Sequence, residues 1–405
     1  MIGRSIKSKT GQIMKTIVRA FVKTLAKRLR EKDVLIQAVL GPRQVGKTTG
    51  VKQCLAQVKS QSLYVSADEL VAPSAQWLLE QWQRALLLPK HSILVIDEIQ
   101  KVDRWQEALK NLWDNHNTKG LRVVVLGSSS FEIQQGMKES LAGRYEVLRV
   151  HHWDAAESKQ VGISFEQYVL QGGYPGSYRY RKDVGRWQAY VRDSIIENIL
   201  NKDIFRLRPL AKPVLFRQFL EIIRAYPCQE ISYTKLLGQL QDRGNVELVK
   251  HYLFLLECAY LYRGLEKYSR KEYLKKSSSP KILPLCPALC TYAGSSALWR
   301  EPDHYGRLFE TAVGSVLNRL PGKLYYWREG KDEVDFVYEE DHLFAIEVKS
   351  GKRRTGKGLN AFLNCFPDAT PLIITPENYG QFETEPPAFL ELMCASKQVN
   401  KEIRP

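Results

Sequence analysis

The chain has 405 residues, 44% of them hydrophobic and 26% charged, enough for two or three globular domains of ordinary composition. It has no run of about 18 apolar residues, which excludes a membrane-spanning helix; the longest apolar stretch, 252–262, is too short and contains Glu257. Seven cysteines without a C-x-x-C pair argue against a disulfide framework or structural zinc and for a cytoplasmic protein, and a net charge of +16 favours phosphate-backbone partners over membrane.

The first 30 residues carry nine Lys/Arg and no acid, a pattern shared by transit peptides, nucleic-acid-binding arms and basic helices. Ile17, Phe21, Leu25 and Leu29 lie at helical spacing, which predicts an integral helix packed on the core with about a dozen residues free before it. Residues 34–40 are a buried-strand pattern. They lead into Gly41-Pro42-Arg43-Gln44-Val45-Gly46-Lys47-Thr48, followed by Thr49 and a helix with Val51, Cys54, Leu55 and Val58 on one face. Strand, G-x-x-x-x-G-K-[ST] and helix together define a phosphate-binding loop. The glycines let backbone N–H groups close on phosphate oxygens, Lys47 reaches the β- and γ-phosphates, and the Thr48 hydroxyl ligates Mg²⁺. ATP with Mg²⁺ is the expected cofactor.

Residues 62–66 predict a second strand. A third, 92–98, ends in Asp97 and Glu98: Asp97 is placed to hold Mg²⁺ and Glu98 to polarise the attacking water. Residues 122–130 predict a fourth strand with a polar end, so Ser128 or Ser129 is the candidate γ-phosphate sensor. A fifth, 145–150, completes an α/β fold with a five-stranded parallel sheet covered by helices.

Beyond Arg144 the pattern turns helical at 164–170, 184–200 and 212–225. Helices at 231–240 and 246–258 around a tight turn, then a strand at 259–265, suggest a winged helix with Val246, Val249, Leu253 and Leu256 inward. Its exposed Glu247, Lys250 and His251 make a poor base-reading set. Residues 269–300, with three serines and Pro280, Pro284 and Pro287, read as a linker. In the last hundred residues a helix carries Glu310, and a hairpin carries Asp335 on 333–338 and Glu347 and Lys349 on 343–350. A turn at 340–342 would pair 335 with 347 on one face. Opposed carboxylates call for a cation, and a second Mg²⁺ or Mn²⁺ on Asp335 and Glu347 suits oxygen ligands. Lys349 would then activate the water, and Glu310 would supply or orient a ligand. Surface acids on a hairpin that only binds partners fit the same spacing.

Gly41–Thr49, Ile93–Glu98 with Ile99-Gln100-Lys101-Val102, Gly127–Ser130 and Leu141-Ala142-Gly143-Arg144 resemble the prokaryotic AAA-type ATP-binding proteins with a C-terminal domain similar to restriction endonucleases. The tail carries the resemblance through Gly306-Arg307-Leu308-Phe309-Glu310, Tyr325-Tyr326-Trp327-Arg328, Glu333-Val334-Asp335-Phe336-Val337 and Ile346-Glu347-Val348-Lys349-Ser350-Gly351. It departs at His151-His152-Trp153-Asp154. The resemblance implies a basic helix (1–30), an ATPase core (31–155), a helical lid (156–225), a winged helix (226–268), a linker (269–300) and a PD-(D/E)xK-like domain (301–405). It also implies that Arg144 reaches a neighbour's nucleotide in a homo-oligomer, and that Glu310, Asp335, Glu347 and Lys349 form the nuclease-like set. Two functions follow: an ATPase that gates metal-dependent cutting of nucleic acid, DNA foremost, in defence or mobile-element control, or a regulatory ATPase whose tail binds nucleic acid or protein without cleavage.

Overall fold

The structure is a computed structural model that describes residues 17–69, 73–127, 137, 140–205, 210, 212–241, 244–271, 278–351 and 356–402, with side chains to 394. Contacts divide the chain into two compact units. The first runs to His151 and takes in Glu157–Ile163; the second comprises His152–Ala156 and everything from Ser164. Ser128, Ser129 and the basic run 352–354 lie outside the described residues.

In the first unit, β1 (Ile36–Leu40), β2 (Ser62–Ser66), β3 (Ile93–Asp97), β4 (Arg122–Gly127) and β5 (Tyr145–Arg149) form one sheet in the order β2-β3-β4-β1-β5. Every neighbouring pair is parallel. All five residues of β1 and of β3 are buried, as continuous apolar runs must be when both faces of a parallel sheet are covered. One face packs Ile36, Ala38, Leu94, Ile96, Val123 and Val125 against Leu78 and Trp82 of α3 (Ala75–Leu86) and Leu109 and Leu112 of α4 (Trp105–His116). The N-terminal helix expected from spacing is α1 (Ala20–Arg28), with Phe21, Val22, Leu25 and Ala26 buried and Leu29 buried just beyond it. It packs on α2 (Lys47–Gln57) at Gly50, where a Cβ would stand 2.2 Å from Phe21 Cζ, so a larger residue there would push α1 off α2. Burial of a side chain such as Leu25 contributes about 1.5–3 kcal/mol, which is what keeps a helix of nine residues in place.

The second unit contains a helix at Phe165–Gln171, whose first turn is capped by Ser164 accepting from Gln167 N at 3.2 Å. A helical stretch follows from Val184 to Phe205, longer than expected and widened into π turns at Tyr190–Ile196 and Leu200–Phe205. Pro213–Arg224, Tyr233–Gly238 and Val246–Cys258 are helical, and β6 (Tyr262–Leu265) pairs antiparallel with β7 (Lys281–Pro284). Helix Pro302–Leu317 precedes a four-stranded sheet in the order β11-β10-β9-β8. These strands are β8 (Lys323–Glu329), β9 (Asp332–Glu339), β10 (Leu343–Val348) and β11 (Thr370–Ile374), with only β10 and β11 parallel. The β9–β10 register is the one the turn at 340–342 implies: Leu343 faces Glu339 and Ile346 faces Phe336, so Asp335 and Glu347 come next.

The linker reading of 269–300 is overturned by packing. Ile282, Leu283, Cys286, Ala288 and Leu289 are buried, Ala288 N donates to Gly172 O at 2.9 Å, and Thr291 Oγ1 donates to Leu170 O at 2.5 Å. Pro284 ends β7 and Pro287 caps the short helix Ala288–Thr291, positions where proline stiffens a fold rather than loosening it. By contacts, the expected boundaries at 225/226, 268/269 and 300/301 lie inside one compact unit from Ser164 onward. No helix among the described residues is long and apolar enough to cross a membrane.

Candidate functional site

Because the sheet is parallel, the C-terminal ends of β1 and β3 share one edge, and the loop after β1 meets the acids after β3 there. The loop turns through left-handed backbone at Gln44 (φ 58°) and Gly46 (φ 91°), and Gly41 lies so close to Val150 that a Cβ would stand 2.1 Å from the Val150 carbonyl oxygen. Pro42 and Val45 are buried and Thr49 is exposed. Lys47, buried, donates through Nζ to Gly41 O at 2.8 Å and Pro42 O at 2.6 Å. Thr48 Oγ1 donates to Asp97 Oδ2 at 2.9 Å. Glu98 takes left-handed backbone (φ 53°), with its N–H donating to Asp97 Oδ1 at 3.0 Å. Its carboxylate accepts from Gln100 Nε2 at 2.5 Å and lies 3.6 Å from Arg43 Nη1. The structure therefore brings together Arg43, Lys47, Thr48, Asp97 and Glu98. A hydroxyl and a carboxylate in contact, beside a loop ammonium, are the donor set that Mg²⁺ and a triphosphate need.

Arg144 lies elsewhere. Its carbonyl accepts from Ile36 N at 2.9 Å, which fixes it where β1 begins, whereas the phosphate loop starts where β1 ends. Five strand residues at ~3.3 Å each separate those edges by roughly 16 Å. Its guanidinium pairs with Asp114 through Nε at 2.7 Å and Nη2 at 2.9 Å. It does not reach the nucleotide site of its own chain.

Three residues beside this site escaped the sequence reading. Tyr64 donates to Asp97, and burial foremost, then the Asp97 carboxylate, pushes its hydroxyl above the usual tyrosine range. Gln100 holds Glu98 as described. Arg19, just ahead of α1, bonds Val45 O at 3.0 Å, His151 O at 3.0 Å and both oxygens of Glu157 at 2.7 and 2.9 Å. No motif marks Arg19; its partner Glu157 is 138 residues away.

In the second unit, Glu310, Asp335 and Lys349 line a cavity of about 510 Å³ together with Glu333, Arg307 and Arg328, and Glu347 pairs with Lys349. The cation among these carboxylates is a residue the sequence reading had assigned to a linker. Lys281 Nζ lies 2.7 Å from Glu310 Oε1, 3.2 Å from Glu333 Oε1 and 3.8 Å from Asp335 Oδ1, and donates to the Asp335 carbonyl at 3.0 Å. Burial would lower the Lys281 pKa; the Glu310, Asp335 and Glu333 carboxylates outweigh it and hold the ammonium charged. Burial, with Asp335 and Glu333 adding repulsion against the pull of Lys281, pushes Glu310 up to about 8. Asp335 Oδ2 accepts from Val348 N at 2.7 Å, and Lys349 pairs with Glu347. Burial foremost, then Asp335, raises Glu347, whose Oε2 is buried without a hydrogen-bond partner. Lys349, expected to activate water beside a metal ion, pairs with Glu347. Among the described residues no three Asp, Glu, His or Cys side chains are placed to hold a metal ion.

Residues 34–159 match the sequence profile of an AAA domain. These residues form an AAA-type P-loop domain. Residues 163–296 and 305–387 match two domains of unknown function, DUF8612 and DUF4143. Uncharacterized proteins of Mycobacterium bovis and Mycobacterium tuberculosis are each 28% identical over 323 residues, covering 76% of this chain and 69% of theirs. One from Methanocaldococcus jannaschii is 22% identical over 349 residues, covering 80% of this chain and 76% of its own. Among solved structures, the Thermotoga maritima RuvB Holliday junction branch migration motor is 16% identical and covers 63% of this chain and 92% of its own. Its TM-score is 0.34, too slight a likeness to bear on function.

Arg19 generates a stability prediction for this domain. Arg19→Met leaves Glu157, only 13% exposed, without its counter-charge, and loss of one partner of a buried pair costs about 3–5 kcal/mol. Urea unfolding should show that loss; a change below about 1 kcal/mol would mean that the pair is not what ties the loop to Glu157.

Proposed function

We propose that this protein hydrolyses ATP at the phosphate loop and uses its C-terminal cavity to hold nucleic acid, DNA foremost, without cutting it. The observation that carries the ATPase reading is the Thr48–Asp97 hydrogen bond of 2.9 Å, with Glu98 next along the chain. Lys47 exchanges its two loop carbonyls for the β- and γ-phosphates. Thr48 and Asp97 would hold Mg²⁺, which would supply charge neutralisation on the phosphates. Glu98, aimed by Arg43 and Gln100, takes a proton from the attacking water. Ser128, beyond the described residues, remains the proposed γ-phosphate sensor.

For the tail, Arg307, which lines the cavity, and the chain's net charge of +16 support a phosphate-backbone ligand. Helices Tyr233–Gly238 and Val246–Cys258 with the β6–β7 ribbon follow the order of a winged helix and are proposed to share that ligand. Lys281 among the carboxylates supports binding without cleavage. A second reading, metal-dependent cutting by a restriction-endonuclease-like domain, is favoured by the partnerless Glu347 Oε2 and by the register that brings Asp335 opposite Glu347.

Four outcomes are expected. Lys47→Ala should bind ATP at least tenfold more weakly by calorimetry, since it loses a charge-assisted contact of roughly 1.5–3 kcal/mol, while Glu98→Gln should bind normally and turn over far more slowly; wild-type turnover in Glu98→Gln would sink its role as base. Arg144 is proposed to serve a neighbouring subunit, where a supplied arginine is worth about 10³-fold or more. Mixing Arg144→Ala with Glu98→Gln should then restore part of the activity, and a monomer with full activity would refute it. DNA incubated with the full chain, Mg²⁺ and ATP should shift in a gel and stay intact; cleavage lost in Asp335→Ala would establish the second reading.

A further inference from the structure

The acid cluster in the C-terminal cavity presents a charge problem that the chain solves with its own side chains. Glu310 comes from helix Pro302–Leu317, Glu333 and Asp335 from β9, and Glu347 from β10. Four carboxylates so gathered repel unless cations stand among them. Glu347 is met by Lys349, and Glu333 by Arg328. The remaining contacts, to Glu310, Glu333 and Asp335, all converge on Lys281 Nζ.

Lys281 is held there from both ends. Its backbone is fixed in β7, where it pairs with Leu265 and bridges to Glu230. Its ammonium lies 5.3 Å from the centre of the Phe336 ring, and the side chain is 1% exposed. Leaving the cluster would strand a charged amine in the protein interior, which is costly unless it finds another partner. A divalent ion on the same oxygens would sit at about 2.0–2.6 Å from them, space that the ammonium at 2.7 Å from Glu310 already fills.

We infer that Lys281 is the resident cation of the Glu310–Glu333–Asp335 cluster, standing where a divalent metal ion would stand, so that this cavity takes up no divalent cation while Lys281 occupies it. This deepens the non-cutting reading of the tail and rests on it. The corollary is that removing one positive charge from β7 turns the cavity into a metal site.

Titration of the full, nucleotide-free chain with Mn²⁺, followed by calorimetry and by electron paramagnetic resonance of free Mn²⁺, tests this directly. In the otherwise unchanged chain, Asp335→Asn should leave Mn²⁺ binding as it was. Lys281→Met keeps a long apolar stem over Phe336 and removes the charge; it should gain one further Mn²⁺ per chain that the unsubstituted chain does not bind. Adding Asp335→Asn to Lys281→Met should abolish that gain. A bound Mn²⁺ lost on Asp335→Asn alone overturns the inference, as does a Lys281→Met chain with native circular dichroism that gains none. Should Lys281→Met fail to fold, the Asp335→Asn comparison decides alone. DNA cleavage is a separate readout: it bears on whether the tail cuts, whereas the Mn²⁺ titration reads what Lys281 excludes.

Discussion

Thr48 and Asp97 meet because every strand of the first sheet runs the same way. β1 and β3 are not neighbours; β4 lies between them, so their ends stand two strand spacings apart, about 10 Å. The phosphate loop crosses that distance above the end of β4 and delivers the Thr48 hydroxyl to the Asp97 carboxylate at 2.9 Å. An antiparallel β3 would carry its acids to the opposite edge. The buried faces of β1, β3 and β4 thus contribute more than stability, because they hold the two halves of the nucleotide site in register. Glu98 depends on the same edge, and its left-handed backbone turns the carboxylate toward Arg43 and Gln100.

The two units handle concentrated charge in opposite ways. In the first, Lys47 rests on main-chain carbonyls, which are neutral partners readily exchanged for phosphate oxygens. In the second, Lys281 rests on carboxylates and is almost wholly buried, an arrangement costly to undo because separation leaves uncompensated charge on both sides. One lysine is poised for a ligand; the other takes the place of one.

Much of the first unit was legible because its signals are local. The phosphate loop is a contiguous motif, the strands are apolar runs, and Phe21, Leu25 and Leu29 announce their helix by spacing alone. The β9–β10 register was equally local, set by a three-residue turn and the period-two alternation of a strand. What escaped is long-range. Arg19 finds Glu157 across 138 residues, and Lys281 finds Glu333 across 52. Residues 269–300 were misread because prolines and serines look like a linker in composition, while the burial of Ile282 and Leu283 between other elements is a tertiary fact. Lys281 was hidden with them, and the expected cation was sought in solution rather than in the chain. The π turns at Tyr190–Ile196 and Leu200–Phe205 carry no sequence signal that separates them from an ordinary helix.

The most direct test of the account is an experimental structure of the full chain with Mg²⁺ and a non-hydrolysable ATP analogue. Lys47 Nζ should leave the Gly41 and Pro42 carbonyls for the β- and γ-phosphate oxygens, with Mg²⁺ bound between Thr48 and Asp97 and the γ-phosphate facing Glu98. A nucleotide bound away from the loop, or Lys47 still on its carbonyls with the nucleotide in place, would contradict it.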